Sequence, residues 1–119
     1  MTRIEIPADT PALYAQDGKG YDATVYAHIF VPGTAVDFYV TEYDPKDREI
    51  FGWAEVAPGC GELGYTSLEV IEEAKVTVAV HLPGGTGRIR LSPEVETGWV
   101  RKTLTEALAE RARRQGVPA

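Results

Sequence analysis

Three side chains in this sequence are of the kind nucleophilic chemistry uses: Cys60, His28 and His81. A thiol becomes a working nucleophile when a base beside it takes its proton and a third group orients that base. No nucleophile signature surrounds Cys60, and a lone cysteine more often serves as a small buried filler. Each histidine falls at an alternating position of an apolar run, where a structural role is the commoner one. A small hydrolase using His28 or Cys60 therefore stands as the alternative expectation, and a non-catalytic protein as the first.

The carboxylates gather elsewhere. YVTEYDPKDREIFGW, residues 39–53, brings Glu42, Asp44, Asp47 and Glu49 together with Tyr39, Tyr43, Phe51 and Trp53. Glycosidase chemistry needs a dry cleft that raises one carboxyl's pKa, and a short wet hairpin offers no such cleft. A calcium loop wants acids at alternating positions with a glycine sixth, which DPKDREIFG lacks, and one cysteine with two distant histidines makes no zinc motif. The glycines of LPGGTGRIR are followed by a strand and by no phosphate-loop lysine. No metal and no cofactor is expected. What this mixture does well is bind protein: tyrosine and tryptophan anchor an interface while acids steer a basic partner. Tyr39, Glu42, Tyr43, Asp44, Asp47, Glu49, Phe51 and Trp53 are thus the candidate partner-binding residues.

The elements that must position them follow from periodicity. Residues 1–22, broken by Pro7, Pro11, Gly18 and Gly20, read as an irregular lead-in docked through Leu13 and Tyr14. Residues 23–57 read as a three-strand meander turned at Pro32-Gly33 and at Asp44-Pro45-Lys46-Asp47. One of its faces is aliphatic, with Val25, Ala27, Ile29, Val36, Phe38, Val40, Ile50, Ala54 and Val56. The opposite face carries Tyr26, Phe30, Tyr39, Tyr43, Phe51 and Trp53. Thr66 and Glu69 have capping-box spacing for a short helix over 66–74. Residues 75–91 alternate about LPGGTG as a second hairpin, and Ser92-Pro93-Glu94 resembles another helix start. Val100, Leu104, Ala107 and Leu108 recur at helical spacing, which predicts an amphipathic helix over 99–115. The fold class is α+β in one domain, 1–119: an antiparallel sheet of four to five strands, as meander plus hairpin, with short helices and a carboxyl-terminal helix. Two coverings of the aromatic face remain open, a partner protein or that last helix.

Composition bounds the partner. A chain of 119 residues with 44% hydrophobic and 25% charged residues suits one globular core. No run approaches the ~18 apolar residues of a membrane helix. With one cysteine and no secretory signal, a cytoplasmic setting is expected. Net charge is −6, and it is uneven: residues 1–99 hold sixteen acids against seven bases, residues 100–119 five bases against two acids. An acidic body repels phosphate backbones, so direct nucleic-acid binding is disfavoured.

Read in order, PALYAQD, FVP, YVTEYDP, FGW and ELGYTSLEVIEE resemble the domain-of-unknown-function family 2958, from about Pro11 to Glu73. Thr41, Glu42, Tyr43, Asp44, Gly64 and Tyr65 match its words residue by residue. The family supplies no catalytic residue. The resemblance implies an accessory protein of plasmids, integrative elements and phages, a setting in which anti-restriction and anti-CRISPR functions are common. The expectation is an acidic protein-binding module that masks a basic nucleic-acid-binding surface of a defence complex. A structural or oligomerisation module of a mobile-element complex is a further alternative.

Overall fold

A computed structural model describes residues 3–57, 59–74 and 76–116. In chain order the elements are β1 (Thr24–Val25), β2 (Ala27–Phe30), β3 (Asp37–Asp44), β4 (Glu49–Glu55), β5 (Glu62–Ser67), α1 (Leu68–Glu73), β6 (Val76–Leu82), β7 (Gly85–Leu91), β8 (Glu94–Val95), β9 (Lys102–Thr103) and α2 (Leu104–Arg114). The fold is α+β. Its main sheet has five antiparallel strands in the order β5-β4-β3-β2-β8. β1 pairs with β9, and β6 with β7 forms a separate hairpin.

Two irregularities decide which side chains face which way. The alternation expected through 23–31 breaks at Tyr26, whose N–H donates to Val40 O. Val25 therefore leaves the aliphatic side and joins the opposite core. The second irregularity is a bulge between Val40 and Glu42. An extra residue in one strand reverses the facing of those beyond it, so Glu42 pairs with Phe51 and Tyr43 turns to pack on the aliphatic core. Gly52 makes this pairing possible, because a Cβ there would lie 1.9 Å from Tyr39 O.

The sheet separates two cores. Ala27, Ile29, Val40 and Ile50 meet Ile4, Leu68 and Ile71 on one side. Val25, Tyr39 and Trp53 meet Leu104 and Ala107 of α2 on the other. Each of the valine, leucine and isoleucine side chains so buried contributes about 1.5–3 kcal/mol of hydrophobic stabilisation.

Several local expectations need correction. ELGYTS forms the edge strand β5, so α1 starts at Leu68 with Ser67 in the cap position, and Thr66 caps nothing. Pairing with β4 outweighs the capping-box spacing. Ser92-Pro93-Glu94 opens no helix, because Glu94 and Val95 pair with Phe30 and Ile29. α2 begins at Leu104 rather than near 99: Gly98 lies at φ 74, and the capping box belongs to Thr103 and Glu106. Tyr14 is exposed, and the lead-in is fastened instead by Gln16 and Glu42. No helix among the described residues is long and apolar enough to cross a membrane.

Candidate functional site

The aromatic face is closed from within. α2 crosses Tyr39 and Trp53, leaving them 1% and 7% exposed. The Tyr39 ring stacks on His28 at 4.6 Å and meets Trp53 and Trp99 at 5.9 Å each. Burial, helped by the negative charge of Asp37, pushes the Tyr39 hydroxyl up to about 12, although Arg114 Nη2 donates to it. Gly61 lies so close to the Trp53 ring that a Cβ would sit 2.1 Å from it.

At the other end of the face, Glu42 is equally committed. Its carboxylate accepts from the N–H groups of Tyr14 and Gln16 at 2.8 and 2.6 Å. Gln16 donates in turn to Thr24 O and Thr41 O. The bulge aims Glu42 into the lead-in, and a carboxylate is what a loop with unpaired N–H groups needs.

The eight candidate contacts therefore part company. Tyr39, Glu42 and Trp53 are inside and are not free to grip a partner, contrary to the expectation. Tyr43 packs on the aliphatic core, and Phe51 lies 4.7 Å from Tyr65. The hairpin tip keeps Asp47 exposed and Asp44 and Glu49 partly so; Asp44 accepts from Lys46 N in the turn.

Beneath α2 runs a polar chain, buried at His28, Asp37 and Arg111 and half-exposed at Glu96, that the sequence pattern did not reveal. His28 Nδ1 meets Glu96 Oε1 and Nε2 meets Asp37 Oδ1, each at 2.6 Å. Arg111 Nε donates to Asp37 Oδ2 at 2.6 Å, and its Nη2 reaches Ala35 O and Glu55 Oε2. Burial alone raises the Asp37 carboxyl, but the His28 and Arg111 hydrogen bonds outweigh it and hold it below the ordinary value. With a carboxylate against each ring nitrogen, His28 offers no free nitrogen to a substrate. The available signal was Arg111 itself, a cation continuing the apolar stripe of Leu104, Ala107 and Leu108. A second internal pair joins Arg48 to Glu72, whose carboxylate also accepts from Ile4 N. Among the described residues no group of three or more His, Cys, Asp or Glu side chains converges as a metal ion would require.

The aliphatic face is closed only in part. Past Ile71 it opens into a groove of about 440 Å³. Phe38 and Ala54 lie in its floor and Val56, Val70 and Ala74 in its walls; Cys60 also lines it, without a histidine among the lining residues. Val56 and Val70 are 65% and 63% exposed. One exposed carboxylate, Glu62, stands among the lining residues. From this margin β6 and β7 project as an arm that packs chiefly against itself, with Val76 shared between arm and groove. His81 lies exposed towards the arm's tip, so the sheet stands between Cys60 and His28 while His81 is carried outward.

No curated protein and no solved structure matches the chain. The family model described as "Protein of unknown function (DUF2958)" matches residues 8–83, from the lead-in that Glu42 fastens to the turn of the arm. That span is more than half of the sequence, and the chain belongs to the DUF2958 family.

Proposed function

We propose that the protein is a non-catalytic protein-binding module whose groove takes a segment with apolar side chains flanked by lysine or arginine. The carrying observation is the groove itself, an open apolar concavity with the exposed Glu62 among its lining residues. An apolar patch with a polar rim is what a soluble protein exposes at an interaction site. Glu62, on a body of net charge −6, sets the sign of the ligand's flanks. Support for the non-catalytic reading comes from His28, whose two nitrogens are both engaged, and from Cys60, which lies across the sheet from it.

The finer form of the proposal is an anti-CRISPR or anti-restriction inhibitor that masks a basic nucleic-acid-binding surface. The net charge of −6 and the exposed Asp47, Glu69 and Glu73 support the sign of such a partner; the defence setting rests on the family resemblance. The test is fluorescence anisotropy with a labelled peptide of alternating valines flanked by arginines. Binding should weaken with salt and disappear in Val70→Asp, a change at an exposed position that leaves the melting temperature in place. Equal binding by wild type and Val70→Asp would remove the groove from the account.

A further inference from the structure

The arm has two unlike faces. Strand pairing sets Val76, Val78, Val80 and Leu82 beside Ile89 and Leu91 on one, and Thr77, Ala79, His81, Thr86, Arg88 and Arg90 on the other. Every residue of the second face is exposed, and residues 76–91 contain no acid. Arg3, Arg48, Arg101 and Arg111 each hold a carboxylate, whereas Arg88 and Arg90 make no ion pair among the described residues. Across the ribbon they face only Ala79 and Thr77, side chains too short to keep a large surface away from the guanidinium groups.

We propose that this basic face of the arm is a contact for duplex DNA, with Arg88 and Arg90 on the phosphate backbone; the contact is separate from the groove and goes beyond the function proposed above. Two residues of strand set the arginines roughly 6.8 Å apart in a line, and guanidinium groups take phosphate oxygens in bidentate fashion. The hydroxyls of Thr77 and Thr86 add neutral donors of the kind that phosphates accept from. A two-stranded ribbon also has a width that the major groove of B-form DNA admits, whereas that of A-form RNA is too narrow. A single strand would call for aromatic rings on which to stack its bases, and a protein interface for large apolar anchors. This face carries no phenylalanine, tyrosine or tryptophan and nothing apolar larger than Ala79. The acidic body confines the contact to the arm rather than cancelling it. β6 and β7 pack chiefly against each other, and Arg88, opposite Ala79, stands three residues, roughly 10 Å, out from Val76. That distance is about one screening length at ordinary salt.

The test is fluorescence anisotropy of the full chain with a labelled DNA duplex of mixed sequence, at about 50 and about 200 mM salt, with the melting temperature followed in each variant. Wild type should bind at the lower salt and lose about tenfold in affinity at the higher, the dependence that two phosphate contacts give. Arg88→Gln with Arg90→Gln should cut the low-salt affinity by about tenfold or more and leave the melting temperature in place; each single change should remove about half of the salt dependence. Arg3→Gln, which removes an exposed cation already held by Glu5, should change neither. Absence of binding at the lower salt, or equal binding by wild type and the double variant, overturns the proposal. So does capture of a labelled polyglutamate peptide as tightly as the duplex, which would make the face a dock for an acidic protein. The valine–arginine peptide is measured separately, so the groove reading and the DNA contact fail independently.

Discussion

Arg111, near the end of α2, donates from Nε to Oδ2 of Asp37, at the start of β3, across 2.6 Å. The same carboxylate holds His28 through its other oxygen, so one acid ties the last helix to the first strand of the sheet. Both partners of the pair are largely buried. Removing one member of such a pair strands the other charge in a poor dielectric.

Asp37→Asn or Arg111→Ala should therefore destabilise the fold by about 3 kcal/mol or more, read by urea denaturation. The double change should cost less than the sum of the singles, because neither charge is then left alone. Additive losses would show that the pair is not the coupling.

Acid stability should depend on Glu72. The Arg48 hydrogen bonds, chief among the causes, and the Ile4 N–H outweigh burial and pull its carboxyl from 4.5 down to about 2. A depressed folded pKa stabilises above the unfolded value and loses that contribution as pH falls through the folded one. Unfolding free energy should thus fall from about pH 4.5 towards about pH 2, and Glu72→Gln should flatten that limb. Asp37, also shifted downward, adds in the same direction.

Gly52→Ala should be among the most damaging single changes. Its Cβ would meet the backbone oxygen of Tyr39 at 1.9 Å, and backbone cannot step aside as a flexible side chain can. A loss of about 3 kcal/mol or more is expected. Gly64→Ala, with open space around its Cβ, is the control; comparable melting temperatures for the two would refute the packing argument.

Replacing Asp44, Asp47 and Glu49 by Lys should leave the melting temperature nearly unchanged, because the hairpin tip is wet. If the tip steers a basic partner, association slows at low salt and the difference vanishes as the Debye length shrinks below about 10 Å. Stopped-flow association at two ionic strengths separates these effects.

How far this was legible in the sequence varied with how regular each segment is. VTVAVHL alternates without interruption into a proline–glycine turn, and a hairpin stands there. YVTEY alternates as well, but a bulge at its centre exchanges the facing of Glu42 and Tyr43, and nothing local marks the extra residue. The same holds for Tyr26, where a break moves Val25 across the sheet. ELGYTS carries a helix-cap pattern and a strand's pairing partner together, and only the presence of β4 decides between them. Arg111 was visible as a cation on an apolar stripe, but its partner Asp37 lies 74 positions away, beyond any local window. The groove and the bare arm arise from how far α1 reaches over the sheet, which is a property of packing rather than of spacing.

The polar chain from Glu96 through His28 and Asp37 to Arg111 also sets a timetable for synthesis. His28 waits 68 residues for Glu96, and Asp37 waits 74 for Arg111; at ordinary translation rates the latter delay is roughly 4–15 s. Until then a nascent sheet shows Tyr39, Trp53 and an unpaired carboxylate on an open surface. The ribosome-bound chain is consequently a better client for a chaperone than the finished protein, and crowding of polysomes is the circumstance in which it is most prone to aggregate.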